Sequence, residues 1–481
     1  MSNRLKRKLK TRHLVMIALG GSIGTGLFLA SGSAIYQAGP GGAMLAYAVI
    51  SFMVYFLMCS LGEMAAYTPS TGTFCEYSTK YVSRDFGFAM GWNYWFNWAI
   101  TVSAELIAAA LIMQYWFPDV PTVYWSFLFF IVIFALNLFA VKVYGETEYA
   151  LSFIKVAFVI IFILVGILTI VGITGVGGPV GFKNWHIADA PFHHGVFGFI
   201  TVFLIAGFSF QGTELVGVAA GEADHPEKSI PLAIKKTFWR LVLFYIVAIG
   251  VISFLIPYTS DILINKNSEV AISPFTIVFK QAGLTYAATV MNTVILIAIL
   301  SACNASMYSA TRIMWHLADS KQAPKLFAKV NRRGIPINAL LLTALLGCFF
   351  FLSSFLANGA VFVWLVNISS LAGFIAWFGI ALSHYRFRRA YQIQGFDVNA
   401  LPYRAKWFPL APIVSMVLIA VIIFGQELGD VLAGDVSWQK FLATYAGFIL
   451  FLSLLVAYKL FKKSRLIPLS DCQINRKGQS I

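Results

Sequence analysis

Apolar runs long enough to cross a lipid bilayer recur along this whole chain, and nothing else in it constrains the fold so tightly. A spanning helix needs roughly 20 mostly apolar residues. Twelve stretches qualify, at about 13–37, 41–66, 87–114, 121–141, 148–172, 195–221, 235–256, 283–311, 336–356, 359–383, 408–427 and 438–460. In the lipid core, backbone groups must pair within their own segment, so all twelve are expected to be helical. They lack the two-residue alternation of an outer-membrane strand. Apolar residues make up 59% of the chain and charged residues 11%, against roughly 45–50% and about 25% in soluble domains. The expected organisation is an all-α, twelve-helix membrane domain over 13–460. A basic tail at 1–12 precedes it and a second tail at 461–481 follows it.

The net charge of +15 is topological and does not mark a nucleic-acid surface, because Lys and Arg cluster in short segments between apolar runs. With the N-terminus inside, the inside segments hold 30 of these cations and the outside segments hold 4, namely Lys183, Lys266, Lys280 and Lys440. That bias predicts both termini in the cytoplasm and an even number of spans. The N-terminal run lacks a small-residue cleavage site, so it reads as a tail and not a removed signal. The five cysteines show no metal spacing, and no disulfide is expected.

Two spans are poor helices. Span one contains Gly20-Gly21-Ser22-Ile23-Gly24-Thr25-Gly26, with four glycines in seven residues, each costing about 1 kcal/mol relative to Ala. Span six contains Gly207-Phe208-Ser209-Phe210-Gln211-Gly212-Thr213-Glu214. Each interruption opens a five-helix half, and paired interruptions of this kind point to an inverted-repeat transporter with its site at the breaks. The half-helix after a break presents a positive N-terminal end, suited to a carboxylate. Freed carbonyls and the C-terminal end of the other half suit an ammonium. An α-amino acid carries one of each. The competing reading is that the glycines only permit close helix packing.

Ionisable residues inside spans usually serve function. Lys155 lies inside span five, and the alternative for it is snorkelling to the cytoplasmic face. Glu105 in span three shares an i, i+3, i+4, i+7 face with Trp98, Thr101 and Val102. That face lines a cavity or makes a structural hydrogen bond. Glu214 follows the span-six break by one turn. Glu222 lies about 12 Å further along an ideal helix, near the cytoplasmic mouth or as an ordinary loop charge. Either acid could receive a cationic side chain in a low dielectric. Glu63, at the inner end of span two, suits a cytoplasmic gate with loop arginines.

The run Arg12-His13-Leu14-x-Met16-Ile17-Ala18-x-Gly20-Gly21-Ser22-Ile23-Gly24-Thr25-Gly26-Leu27-Phe28 resembles the first-helix signature of bacterial amino-acid permeases. These belong to the amino acid–polyamine–organocation superfamily. Gly91-Trp92-Asn93-Tyr94-Trp95, Gly207 to Leu215, Ala219-Ala220-Gly221-Glu222, Pro257-Tyr258-Thr259 and Ser383 to Arg389 also match. The resemblance implies a leucine-transporter-like five-plus-five inverted repeat plus two helices, and symport with protons. By position it assigns Ser22, Ile23, Gly24, Thr25 and Gly26 to the substrate carboxylate. It assigns carbonyls near Gly207, Phe208 and Phe210 to the α-ammonium, beside Ser209, with Phe208 or Phe210 as an aromatic gate. Lys155 resembles a built-in replacement for a sodium ion, its ammonium bridging the helix-one break near Gly21 and span eight near Ser301. The span-six segment is most similar to lysine-carrying members, which implies lysine and protons as partners in a bacterial inner membrane. A broader basic-amino-acid permease and a non-transporting sensor on the same fold stay open. The seven histidines sit at span ends or in loops, and neither a catalytic constellation nor a nucleotide-binding motif appears. Enzyme chemistry, cofactors, metals and ATP drive are therefore not expected.

Overall fold

The computed structural model describes residues 16, 23–70, 72–138, 141–174, 178–220, 226–260, 263, 273–355, 358–434 and 437–474. Among the described residues the chain is helical and has no strand. The helices are α1 (Ser31–Tyr67), α2 (Thr73–Tyr81), α3 (Arg84–Met113), α4 (Thr122–Asn137), α5 (Val141–Ile170), α6 (Gly195–Phe210), α7 (Leu215–Ala220) and α8 (Pro226–Arg240). They continue with α9 (Ala248–Leu255), α10 (Pro274–Gln281), α11 (Thr285–Asp319), α12 (Ile337–Gly347), α13 (Asn358–Ile393), α14 (Leu410–Gly425), α15 (Leu428–Ala433) and α16 (Trp438–Lys462). Wider π-helical turns occupy Gly26–Ala30 and Leu241–Val247.

Eight described helices are long and apolar enough to cross a membrane, and three shorter apolar ones lie at Thr122–Asn137, Ile337–Leu352 and Leu410–Gly425. The first long helix, α1, is two helices meeting at Gly39, whose φ of +73° suits glycine. Pro40 follows with no N–H to continue the ladder. The turn is satisfied from outside the helix: Gly41 and Gly42 N–H donate to the Pro191 carbonyl at 2.9 and 3.2 Å, and His193 N–H donates to Ala38 O at 3.0 Å.

Helix α3 is the central post. Its most apolar window is 94% buried, against 33% for α5 and 22% for α16, which therefore border the bundle. Small residues let neighbours approach α3 closely; a Cβ at Gly91 would lie 2.4 Å from Leu317 Cδ2 on α11. Helix α5 is two-faced. Phe153, Leu164 and Ile167 are exposed, as expected of a lipid-facing side, while Glu148, Ser152, Lys155, Val159 and Phe162 are buried. Helix α13 runs ten residues past the expected end at 383, and its extension carries His384 and Arg388 into the bundle.

Candidate functional site

The two interrupted segments touch. The helix-one break is described from Ile23, an irregular residue followed by Gly24, Thr25 and the π-turn at Gly26. A Cβ on Gly26 would fall 2.4 Å from Ser209 Cα. Backbone therefore meets backbone there, which only glycine permits. A Cβ on Gly24 would fall 2.7 Å from Ala302 Cβ and 3.2 Å from Glu105 Oε1. Ser22 and Glu222, also expected at the site, lie outside the described residues.

In span six, α6 ends at Phe210. Gln211 turns to φ −55°, ψ 147°, and Gly212 takes φ +85° before α7 begins at Leu215. This break is largely satisfied from within. Gln211 N–H donates to the Gly207 and Phe208 carbonyls at 3.2 and 3.3 Å, and the Thr213 hydroxyl donates to Phe210 O at 2.6 Å. The Ser209 carbonyl accepts from Tyr245 OH at 2.8 Å, and its hydroxyl pairs with Tyr47 OH at 2.9 Å. Phe210 stacks on Tyr245 with ring centres 4.1 Å apart. Phe208 points elsewhere, into an apolar cluster with Ile100, Cys303, Met307 and Val366. The two aromatic gate candidates thus face different neighbours.

The Thr25 hydroxyl donates to Glu105 Oε2 at 2.5 Å, so the α3 acid stands at the helix-one break. The α3 face predicted around it is divided. Trp98 packs edge-on against Tyr94, Thr101 bonds Ser369 Oγ at 2.7 Å, and Val102 lies beside Gly347. Ser369 also donates to Asn97 Oδ1 at 2.7 Å, and Gln211 Nε2 donates to Ser369 O at 2.7 Å. This polar knot ties α3 and α13 to the second break. Glu214 is fully buried, accepting from Tyr94 OH and Trp377 Nε1, each at 3.2 Å.

Lys155 is fully buried and does not snorkel. Its Nζ lies 3.6 Å from Glu148 Oε1, while Ser301 donates to Glu148 Oε2 at 2.7 Å and Ser152 to Oε1 at 3.4 Å. Ser301 and Lys155 thus share the Glu148 carboxylate, and Gly21, expected at the other end of the bridge, lies outside the described residues. Glu148 escaped the sequence reading although its signal was present: Glu148, Ser152 and Lys155 fall at i, i+4 and i+7, one helical face. Trp377 had no such signal, being 163 residues from Glu214.

At the other end of α1, Glu63 is fully buried. It accepts from Arg388 Nε at 2.6 Å, from Arg388 Nη2 on its second oxygen, and from Ala405 N–H at 2.6 Å, with His384 Nε2 at 3.2 Å. In the segment before α6, Tyr258 OH and His193 Nδ1 hold the two oxygens of Asp189, the latter at 2.7 Å. The bonds from Tyr258 and then His193 lower the Asp189 carboxyl to about 2.

A family model described as "Amino acid permease" matches residues 13–468. The chain is 53% identical to the lysine-specific permease LysP of Escherichia coli (strain K12) over 468 residues, covering 97% of this chain and 96% of that protein. Against the lysine-specific permease LysP of Lactococcus lactis subsp. cremoris it is 49% identical, covering 98% and 93%. Against the histidine permease HisP of the same organism it is 47% identical, covering 98% and 99%.

Proposed function

Because the chain belongs to the amino acid permease family, we propose that it imports L-lysine in symport with protons, as a multi-pass protein of the bacterial inner membrane. The observation that carries this reading is the contact between the two breaks, Gly26 on Ser209, with buried acids beside each. Counting kinked α1 as two helices and adding the three shorter apolar ones makes twelve apolar helices, in support of the five-plus-five arrangement with two extra. The cation bias supports cytoplasmic termini. The tails at 1–12 and 461–481 then lie in the cytoplasm on either side of the transporter domain.

In this reading the helix-one segment Ser22 to Gly26 clamps the substrate carboxylate. Carbonyls near Gly207, Phe208 and Phe210, around Ser209, take the α-ammonium, and Phe208 or Phe210 gates the site. Trp98 lines it. The ε-ammonium pairs with Glu214 first, then Glu222 or Glu105. A buried second charge on the substrate needs such a partner, since leaving it unpaired would cost several kcal/mol. Lys155 couples the cycle to protons: a change in local charge favours one of two conformations, which is how a gradient biases alternating access.

Counterflow of labelled lysine in proteoliposomes, with competition by lysine, ornithine, arginine, histidine and norleucine, tests the proposal. Counterflow competed best by lysine is expected. Absence of counterflow would leave a sensor, and equal competition by norleucine would leave only a general amino-acid permease.

A further inference from the structure

We propose that residues 464–474 form a strap that docks across the inner ends of α2, α3 and α13, holds Arg388 against Glu63, and so restrains opening of the bundle at that end. In the orientation proposed above this is the cytoplasmic end.

The strap begins where α16 stops at Lys462. Lys463 takes φ +48° and turns the chain off the helix axis. The Ser464 hydroxyl then donates to Asp85 Oδ1 at 2.8 Å, in the first turn of α3. Ile467 N–H donates at 2.9 Å to the carbonyl of Val82, the residue that caps α2. Arg386 of α13 bridges the two, its Nε donating to Tyr81 O at the end of α2 and its Nη2 to Ile467 O. Two turns further along α13, Gln394 Nε2 faces three strap carbonyls, those of Leu469, Ser470 and Cys472, at 3.0, 3.2 and 2.9 Å. Cys472 and Ile474 are buried, at 3% and 9% exposed. A chain end that is not tied down stays loose. This one satisfies its backbone on α2 and α13, ties a side chain to α3, and buries two of its own.

The anchors matter because of where they stand on α13. Arg386 lies two residues before Arg388 and Gln394 six after it, and Arg388 is the residue whose guanidinium meets Glu63 on α1. The other side of the strap is held by α2 and α3. The extension of α13 is thereby tied to α2 and α3 on both flanks of Arg388, and it cannot swing relative to them without breaking strap contacts. Each hydrogen bond is modest in net terms, and a surface segment held by a handful of them opens far more cheaply than the helices beneath it. The strap can therefore release while the bundle stays folded.

The test uses the full-length protein in proteoliposomes, pulsed with N-ethylmaleimide and read by peptide mass spectrometry, which follows each native cysteine separately. Cys472 reports the strap. Cys59, 7% exposed and one turn before Glu63, reports the α1 side of the pair. Cys303, fully buried on α11 with its thiol toward Val102 of α3, reports the fold. Gln394→Glu keeps the size of the side chain and loses its N–H donors. It should speed labelling of Cys472 at least about tenfold and speed labelling of Cys59 with it, while Cys303 reacts as in wild type. Ser464→Ala, a smaller change at the other anchor, should move the same two cysteines in the same direction by less. Cys472 labelling unchanged in both variants would mean that these contacts do not hold the strap. Faster labelling of Cys472 with Cys59 unchanged would make it a docked tail that restrains nothing. Either result overturns the inference. If Cys303 also gains reactivity in Gln394→Glu, that variant has loosened throughout, and Ser464→Ala decides on the same two cysteines. No substrate enters the measurement, so a failure of the lysine-transport reading and a failure of the strap are told apart.

Discussion

The hydroxyl of Thr25 donates to Oε2 of Glu105 across 2.5 Å, joining the broken start of the bundle to the middle of its central helix. The residue before Thr25 has no room for a side chain, since a Cβ on Gly24 would fall 2.7 Å from Ala302 and 3.2 Å from Glu105. A branched side chain must displace one or the other, and Glu105 is the polar neighbour of the proposed clamp. Gly24→Val should therefore lower lysine binding at least about tenfold, or about 1.4 kcal/mol, while the protein still inserts. Scintillation proximity binding on purified protein measures this, and normal binding would remove the clamp from this segment.

Lys155→Met removes the ammonium and keeps most of the apolar stem. Glu148 then loses the only cation within 4 Å among the described residues. Accumulation of lysine on a proton gradient should fall at least about tenfold, with exchange of labelled for unlabelled lysine retained in part. A variant that still concentrates lysine would exclude Lys155 from coupling.

Much of the architecture could be read from the sequence because lipid removes alternatives: an apolar run of this length must be helical. The interruptions were equally readable, since glycine and polar residues in mid-span have few other uses. Pairings across the bundle were not. Glu63 with Arg388 spans 325 residues and Glu214 with Trp377 spans 163, and no local periodicity encodes such distances. Glu148 is the intermediate case. Its spacing to Lys155 was visible, but it stood at the first residue of the predicted span, where an acid reads as an ordinary helix end. The extension of α13 past 383 was hidden for a similar reason. Its sequence turns basic there, and the buried partner Glu63 that lets Arg388 enter the bundle lies far away in the chain.

Glu214 accepts two hydrogen bonds, one on each oxygen, from Tyr94 and Trp377; a glutamine there can still accept from the Trp377 indole N–H on its Oε1 and donate from its amide N–H to the Tyr94 hydroxyl. Glu214→Gln keeps the shape and removes the charge. Lysine affinity should fall at least about tenfold, or about 1.4 kcal/mol, and norleucine, lacking the ε-amine, should lose less. Competition binding with both ligands decides it. Equal losses for the two, or none, would move the side-chain reader elsewhere.

The loop at 186–194 behaves differently toward acid. The Asp189 carboxyl is lowered from its ordinary 3.8 to about 2 by Tyr258 and then His193. A carboxyl depressed on folding contributes its stability fully above the unfolded value and loses it as pH falls through the folded value. The loop over the Gly39 turn should therefore hold unchanged from neutral pH down to about 4 and loosen only toward about 2. Hydrogen exchange of residues 186–194, corrected for intrinsic rates, follows this. Loosening already at mildly acidic pH would contradict it, and Asp189→Asn should show the loosened loop at neutral pH.

Arg388 and Glu63 meet through two hydrogen bonds deep between α1 and α13, where neither is more than a few per cent exposed. The carboxylate is further held by Ala405 N–H at 2.6 Å and His384 at 3.2 Å. A buried pair of this kind contributes little against an apolar pair of equal volume, but breaking it from one side leaves a charge without compensation, at about 3–5 kcal/mol. Arg388→Met should therefore destabilise the protein strongly. Glu63→Gln should do so as well, since it strands a guanidinium. The double variant should be markedly more stable than the sum of the two single losses predicts, because neither charge is then left behind. Thermal unfolding of the four proteins in one detergent provides the cycle. Additive losses would mean that the two residues act independently, and that the Ala405 and His384 contacts hold Glu63 on their own.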